Sequence, residues 1–241
     1  MPDKLSIEHI RRKAFQLALF DLDGTLIDSA PDLAAAVDHC LHTMGLPVAG
    51  ETKVRSWVGN GAPVLIKRAL TYGVDCWDKH NRHPSGKPEL TDEFVAKAYR
   101  HFLDFYQQNN VANTRLYPGA VELLEHWAKQ PGIQMGLVTN KPEQFTLPIC
   151  QQLSIAQYFK VIYSGDTFAA RKPDPLPLLK ACETLRVAVA ETIMVGDSRN
   201  DLLAAKNADI TGVCVSYGYN HGGPIAAEKP DVLVDSLTEL M

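Results

Sequence analysis

From residue 116 onward, apolar runs of strand length alternate with amphipathic runs of helix length, and this alternation constrains the fold more than any other feature. Helices are expected over 120–129, 144–153, 177–185 and 201–207. Strands are expected between and after them, over 136–139, 161–164, 193–196, 212–216 and 232–234. Strands that recur with a helix between them pair in parallel, and a parallel sheet needs helices on both faces. A further apolar run at 18–20 must join that sheet across a long intervening segment.

That segment has helical spacing. Ser29 or Asp28 is placed to cap a helix with Pro31 in its first turn; Leu33, Val37, Leu41 and Met44 follow on one face, and Gly45 stops it. Further helices are expected over 62–71 and 91–109, with an exposed loop over 75–90, which is rich in charge, His, Pro and Gly. The reading is an α/β protein: a Rossmann-like parallel sheet core with an inserted helical cap domain. The core is discontinuous, 1–27 and 116–241, and the cap is 28–115, with hinges near 27–29 and 116–119. The Gly59-Asn60-Gly61 turn lacks the third glycine of a dinucleotide site, and no phosphate-loop motif of the GxxxxGK[ST] type occurs.

Several of these strands end in polar residues. Ala18-Leu19-Phe20-Asp21-Leu22-Asp23-Gly24-Thr25 delivers two acids into a Gly-Thr turn, and alternation along the chain puts Asp21 and Asp23 on the same side. At ~4 Å and an effective dielectric of ~20 such a pair repels by about 4 kcal/mol, so it is tolerable only with a cation or a shared proton. That points to a metal-assisted site, against the plainer reading of an Asp-Gly turn. A second apolar strand ends in Gly196-Asp197-Ser198, with Asp201 beyond it. Ser198 and Asp201 have the spacing of a capping box, which accounts for Asp201 and leaves Asp197 unexplained. Between these lie Thr139-Asn140-Lys141 after one strand and Lys172-Pro173 after another. Taken in order, the four segments fall where an α/β sheet presents its carboxyl edge.

With these four motifs the chain resembles the haloacid dehalogenase superfamily of aspartate-nucleophile phosphotransferases over nearly its whole length. Within it the chain is most similar to phosphoglycolate phosphatases, on 28–38 (DSAPDLAAAVD), 57–70 (WVGNGAPVLIKRAL), VTNKP, KPDPLPLL, VGDSRND and SYGYN. The resemblance implies that Asp21 is the nucleophile forming an aspartyl-phosphate and Asp23 the general acid and base. It implies metal ligation by the Asp21 and Asp197 side chains and the Asp23 carbonyl, with Asp201 holding metal-bound water. Thr139, the Asn140 amide and Lys172 would bind the phosphoryl group. Mg²⁺ is the expected cofactor, because the ligands are hard oxygens and this ion keeps waters while bridging carboxylate to phosphate. The expected substrate is a small phosphorylated carboxylic acid, 2-phosphoglycolate. Alternatives are another small phosphate, such as a sugar phosphate or pyrophosphate, a phosphomutase, or a silent binding protein on the same fold.

Substrate choice is expected to rest with the cap. Arg68 leads as reader of the substrate carboxylate, because a guanidinium offers a bidentate fork, with Asn60 and Lys141 as further candidates beside Arg55 and Lys67. A helix-face Arg held in solvent is the plain alternative. One departure from relatives is Asp209, where glycine is commoner.

The 241 residues are enough for a substantial core. A net charge of −4 and a pI near 6.1 give no basic footprint for nucleic acid or anionic membrane. The five cysteines lack any CxxC pairing and suit a reducing compartment. With no secretory or membrane-spanning pattern, the expected location is cytoplasmic, as a monomer or homodimer.

Overall fold

The computed structural model describes residues 5–12, 14–77 and 87–241. Most of the stretch 75–90 expected as a loop lies outside the described residues, as do parts of the N-terminal segment.

Six strands form one parallel sheet in the order β5-β4-β1-β6-β7-β8. They are β1 (Leu17–Phe20), β4 (Gln134–Val138), β5 (Val161–Tyr163), β6 (Thr192–Gly196), β7 (Thr211–Val215) and β8 (Val232–Val234). All residues of β1, β6 and β7 are buried. A strand covered on both faces reads as a continuous apolar run, and so these strands are plain in the sequence. β1 pairs with β4 on one side and β6 on the other, Phe20 standing level with Leu137 and Val195. The chain order reverses at β1, which opens a crevice at the carboxyl ends of β1, β4 and β6. Helices α6 (Ala120–Ala128), α7 (Glu143–Gln152), α8 (Leu176–Leu185) and α9 (Arg199–Asn207) connect the strands. Trp127 of α6 is fully buried against Phe15 and Phe20, with ring centroids 5.0 and 5.6 Å away.

Between β1 and β4 the chain leaves the sheet and returns through two short strands, β2 (Ile27–Asp28) and β3 (Arg115–Leu116), which pair antiparallel. Helices α2 (Ala30–Thr43), α3 (Glu51–Arg55), α4 (Ala62–Asp75) and α5 (Asp92–Asn109) fill the interval. Leu33, Val37 and Leu41 of α2 are buried as the spacing predicts. Of the two residues expected to cap α2, Ser29 makes no side-chain cap bond. Its hydroxyl donates instead to Asp23 Oδ1 at 2.5 Å, and Asp28 Oδ1 accepts from the Ala30 N–H at 3.3 Å. Helix α1 (Ile7–Arg11), α3, β2 and β3 were not anticipated, since elements of two to five residues are too short to show a period. Among the described residues no helix is long and apolar enough to cross a membrane.

Candidate active site

Each sheet strand that borders the crevice delivers a polar residue at its end. Asp21 is the first residue past β1, and its N–H still donates to Val195 O at 2.9 Å, so the ladder fixes its backbone while the side chain stands clear. Thr139 follows β4 in the same way, its N–H on Tyr163 O at 2.9 Å. Asp197 follows β6 and is packed so closely that a Cβ at Gly24 or Gly218 would fall on its side chain. Gly24 also has φ +88°, a conformation that side-chain-bearing residues avoid.

Lys172 draws these ends together. Its Nζ lies 2.8 Å from Asp21 Oδ1, 2.6 Å from Asp201 Oδ1 and 2.6 Å from Val138 O. Asp201 uses its other oxygen to accept from Ser198 N–H at 3.0 Å and Ser198 Oγ at 2.6 Å. The capping box and the lysine contact are therefore held by one carboxylate. Asp197 accepts from Thr25 Oγ1 at 3.1 Å and from Tyr219 N–H at 2.7 Å. One carboxylate oxygen from each of Asp21, Asp197 and Asp201 lies within 4.8 Å of the others.

Three buried carboxylates thus meet one ammonium. Burial raises the pKa of Asp21 to about 6, with Asp201 and Asp23 pushing the same way and Lys172 pulling it down. Burial, then Asp201 and Asp21, hold Asp197 well above the usual carboxylate range. Burial works against a charged Lys172, but Asp201 and Asp21 outweigh it and the lysine stays protonated. The cluster is short of positive charge and offers only hard oxygen donors, a set that fits a divalent cation.

Asp23 belongs to a second group. It takes the Ser29 hydroxyl and also the Lys141 ammonium, whose Nζ lies 2.9 Å from Oδ1 and 3.1 Å from Oδ2. Lys141 Nζ also lies 2.8 Å from Tyr106 Oη, on α5. Asn140 donates its amide to Gly59 O at 3.0 Å and Lys172 O at 2.8 Å, tying the turn before α4 to the sheet edge. Between sheet edge and helices lies a cavity of about 50 Å³. Asp21, Asp23, Thr139 and Lys172 line one side, and Val58, Leu65 and Phe102 present an apolar wall opposite.

Arg68 and Asn60 do not line that cavity. Arg68 donates to Trp57 O at 2.6 Å and to Asn60 Oδ1 at 2.9 Å, so the two brace the turn instead of facing a substrate. Arg55 is committed to Asp28 and Glu51, and Lys67 is exposed. Among the described residues the cations lining the cavity are Lys141 and Lys172.

A family model of haloacid dehalogenase-like hydrolases matches residues 15–209. The chain belongs to this family. Over 226 residues, 94% of this chain and 78% of the relative, it is 43% identical to "Phosphoglycolate phosphatase 1" of Pseudomonas aeruginosa. It is 44% identical over 230 residues to the phosphoglycolate phosphatase of Vibrio vulnificus, covering 95% of this chain and 96% of the relative. The crystal structure of a predicted phosphoglycolate phosphatase from Haemophilus somnus superposes with a TM-score of 0.86 at 36% identity, covering 94% and 96% of the two chains. In this member of the haloacid dehalogenase-like hydrolases, sequence reasoning missed Ser29, Tyr106 and Tyr219 as neighbours of the acids. Gly218, whose missing side chain admits Asp197, was the available signal for Tyr219. Tyr106 lies in the last turn of α5, on the apolar face with Phe102, and nothing in that pattern marks its hydroxyl.

Proposed function

We propose that this hydrolase is a Mg²⁺-dependent phosphatase that converts 2-phosphoglycolate to glycolate and phosphate through a phosphorylated Asp21. The observation that carries the reading is the buried Asp21–Lys172–Asp201–Asp197 cluster, of which Asp21, Lys172 and Asp201 line a small cavity together with Asp23. The names of its relatives, at 43–44% identity, support the choice of substrate.

In this reading an Asp21 oxygen attacks phosphorus in line with the departing glycolate oxygen. As that P–O bond breaks, Asp23 gives its proton to the leaving alkoxide. Asp23 then takes a proton from water, which attacks phosphorus and releases phosphate, restoring the Asp21 carboxylate. Lys172 offsets charge on the phosphoryl oxygens and keeps Asp21 available as the anion, against the burial that raises its pKa. Thr139 and the Asn140 backbone N–H bind the same oxygens. The Asp21 and Asp197 side chains and the Asp23 carbonyl would hold Mg²⁺, with Asp201 beside them. When bound, the ion supplies positive charge to the transferring phosphoryl group. The helices between β2 and β3 act as a cap, residues 28–115, whose apolar wall excludes water from the reacting atoms.

Phosphate release from 2-phosphoglycolate, a hexose phosphate and pyrophosphate, with and without Mg²⁺, tests this. The expected result is the highest kcat/KM on 2-phosphoglycolate, loss of activity on chelation and poor restoration by Ca²⁺, whose larger shell misplaces the ligands. A clear preference for hexose phosphate or pyrophosphate would overturn the substrate, and full activity in excess chelator would overturn the metal.

A further inference from the structure

Lys141 was expected to face the substrate, yet its position commits it elsewhere. An ammonium has three donors. The three contacts of Lys141 Nζ are Asp23 Oδ1, Asp23 Oδ2 and Tyr106 Oη, at 2.9, 3.1 and 2.8 Å. Lys141 is 6% exposed and Tyr106 1%, so neither has water to fall back on. The Tyr106 ring is itself locked, with Phe102 stacked 5.4 Å away and Phe145 of α7 edge-on at 4.8 Å. Ser29, at the start of α2, holds Asp23 Oδ1 from the other side. Asp23 is thereby clamped between a core lysine and a hydroxyl at the neck, and the lysine is in turn held by a tyrosine that comes from the helical insertion.

The geometry points to Lys141 and Tyr106 as a positioning relay: seating of α5 over the sheet edge sets Lys141, and Lys141 sets the Asp23 carboxyl at the leaving-group oxygen. The inference rests on the reading of Asp23 as the acid that protonates the leaving alkoxide. It separates two jobs a cavity lysine can do, since a lysine that reads the substrate carboxylate serves only substrates that carry one. A lysine that positions the acid serves every substrate whose leaving group needs a proton.

Three esters distinguish these jobs: 2-phosphoglycolate, ethyl phosphate and p-nitrophenyl phosphate. The first two have poor alkoxide leaving groups and only the first has a carboxylate, while nitrophenolate departs without help. The measured quantity is kcat/KM, which covers steps through the first irreversible one and leaves out hydrolysis of the phosphoenzyme. Lys141→Met is compared with Tyr106→Phe, which keeps the stacked ring and removes one oxygen, so a folding defect in the lysine variant leaves the second as a test. General acid catalysis contributes about 10²–10⁴-fold. Lys141→Met is expected to lose roughly 10²-fold, and Tyr106→Phe about tenfold, on both alkyl esters, with less than about threefold loss on the aryl ester. Loss confined to 2-phosphoglycolate would overturn the relay in favour of carboxylate binding. Equal loss on all three, or none, would overturn it in favour of a structural role. Asp23→Asn in the same assay isolates the underlying reading: if it spares the alkyl esters, the acid assignment falls and the relay falls with it.

Discussion

Lys172 is 2% exposed and serves two carboxylates and a carbonyl, so removing its charge strands Asp21 and Asp201 in a buried site. Breaking a buried pair in this way costs about 3–5 kcal/mol. Lys172→Met is expected to lower stability by about that amount at pH 8, measured by urea denaturation, and by less at pH 5, where the stranded acids take up protons. An equal loss at both pH values would mean that packing, not charge, is what Lys172 supplies. Asp21→Asn has the opposite character. It removes one of the acids crowded around Lys172, so the fold should survive unchanged by circular dichroism while turnover falls by roughly 10⁴-fold or more, as for loss of a covalent nucleophile. Retained turnover would remove Asp21 from the covalent role. Among these residues Asp21 and Asp197 were legible because each directly follows an apolar strand, Asp201 because it has capping-box spacing with Ser198, and Lys172 because it stands before the chain-stiffening Pro173. Arg68 was not, because a charge on a helix does not reveal its direction, and the Trp57 carbonyl and Asn60 had already claimed it.

At the scale of elements, the sheet was legible from its apolar runs, and the boundaries of β4, β6, β7 and β8 fall within two residues of expectation. The neck was not, since the pairing of Ile27 with Leu116 and Asp28 with Arg115 is a long-range contact between two-residue strands. The turn after α9 gives a physical account of one sequence departure. Asp209 has φ +61°, the left-handed conformation that ends a helix most cheaply in glycine. Its N–H bonds Lys206 O at 3.2 Å, and Ile210 N–H returns to Ala205 O at 2.9 Å, so the turn is fixed whatever the side chain. Asp209→Gly is expected to raise stability by about 0.5–1 kcal/mol, the strain relieved outweighing the extra freedom of an unfolded glycine. Thermal denaturation measures this; a lower midpoint in the variant would mean that the Asp209 side chain contributes more than the strain costs.

At the scale of the whole molecule, the surplus of negative charge in the site links stability, pH and cation binding. The folded pKa of Asp21, about 6, lies above the ~3.9 of an unfolded aspartate, so across that window the folded state holds more protons than the unfolded one. For this group the metal-free protein therefore loses stability as pH rises from about 4 to about 6, and a divalent cation, which needs the ionised carboxylates, restores it above that range. Mg²⁺ at about 100 times its dissociation constant is expected to add roughly 2.7 kcal/mol at pH 8 and much less at pH 5, read as shifts in melting temperature. Equal shifts at both pH values would detach the ion from these acids. The central claim, a phosphoryl group carried on Asp21, is tested most directly by acid-quenching the protein during turnover of radiolabelled 2-phosphoglycolate and mapping the label after proteolysis. The account predicts label on the peptide containing Asp21, and none in the Asp21→Asn protein; hydrolysis with no labelled peptide, or with label on another residue, would contradict it.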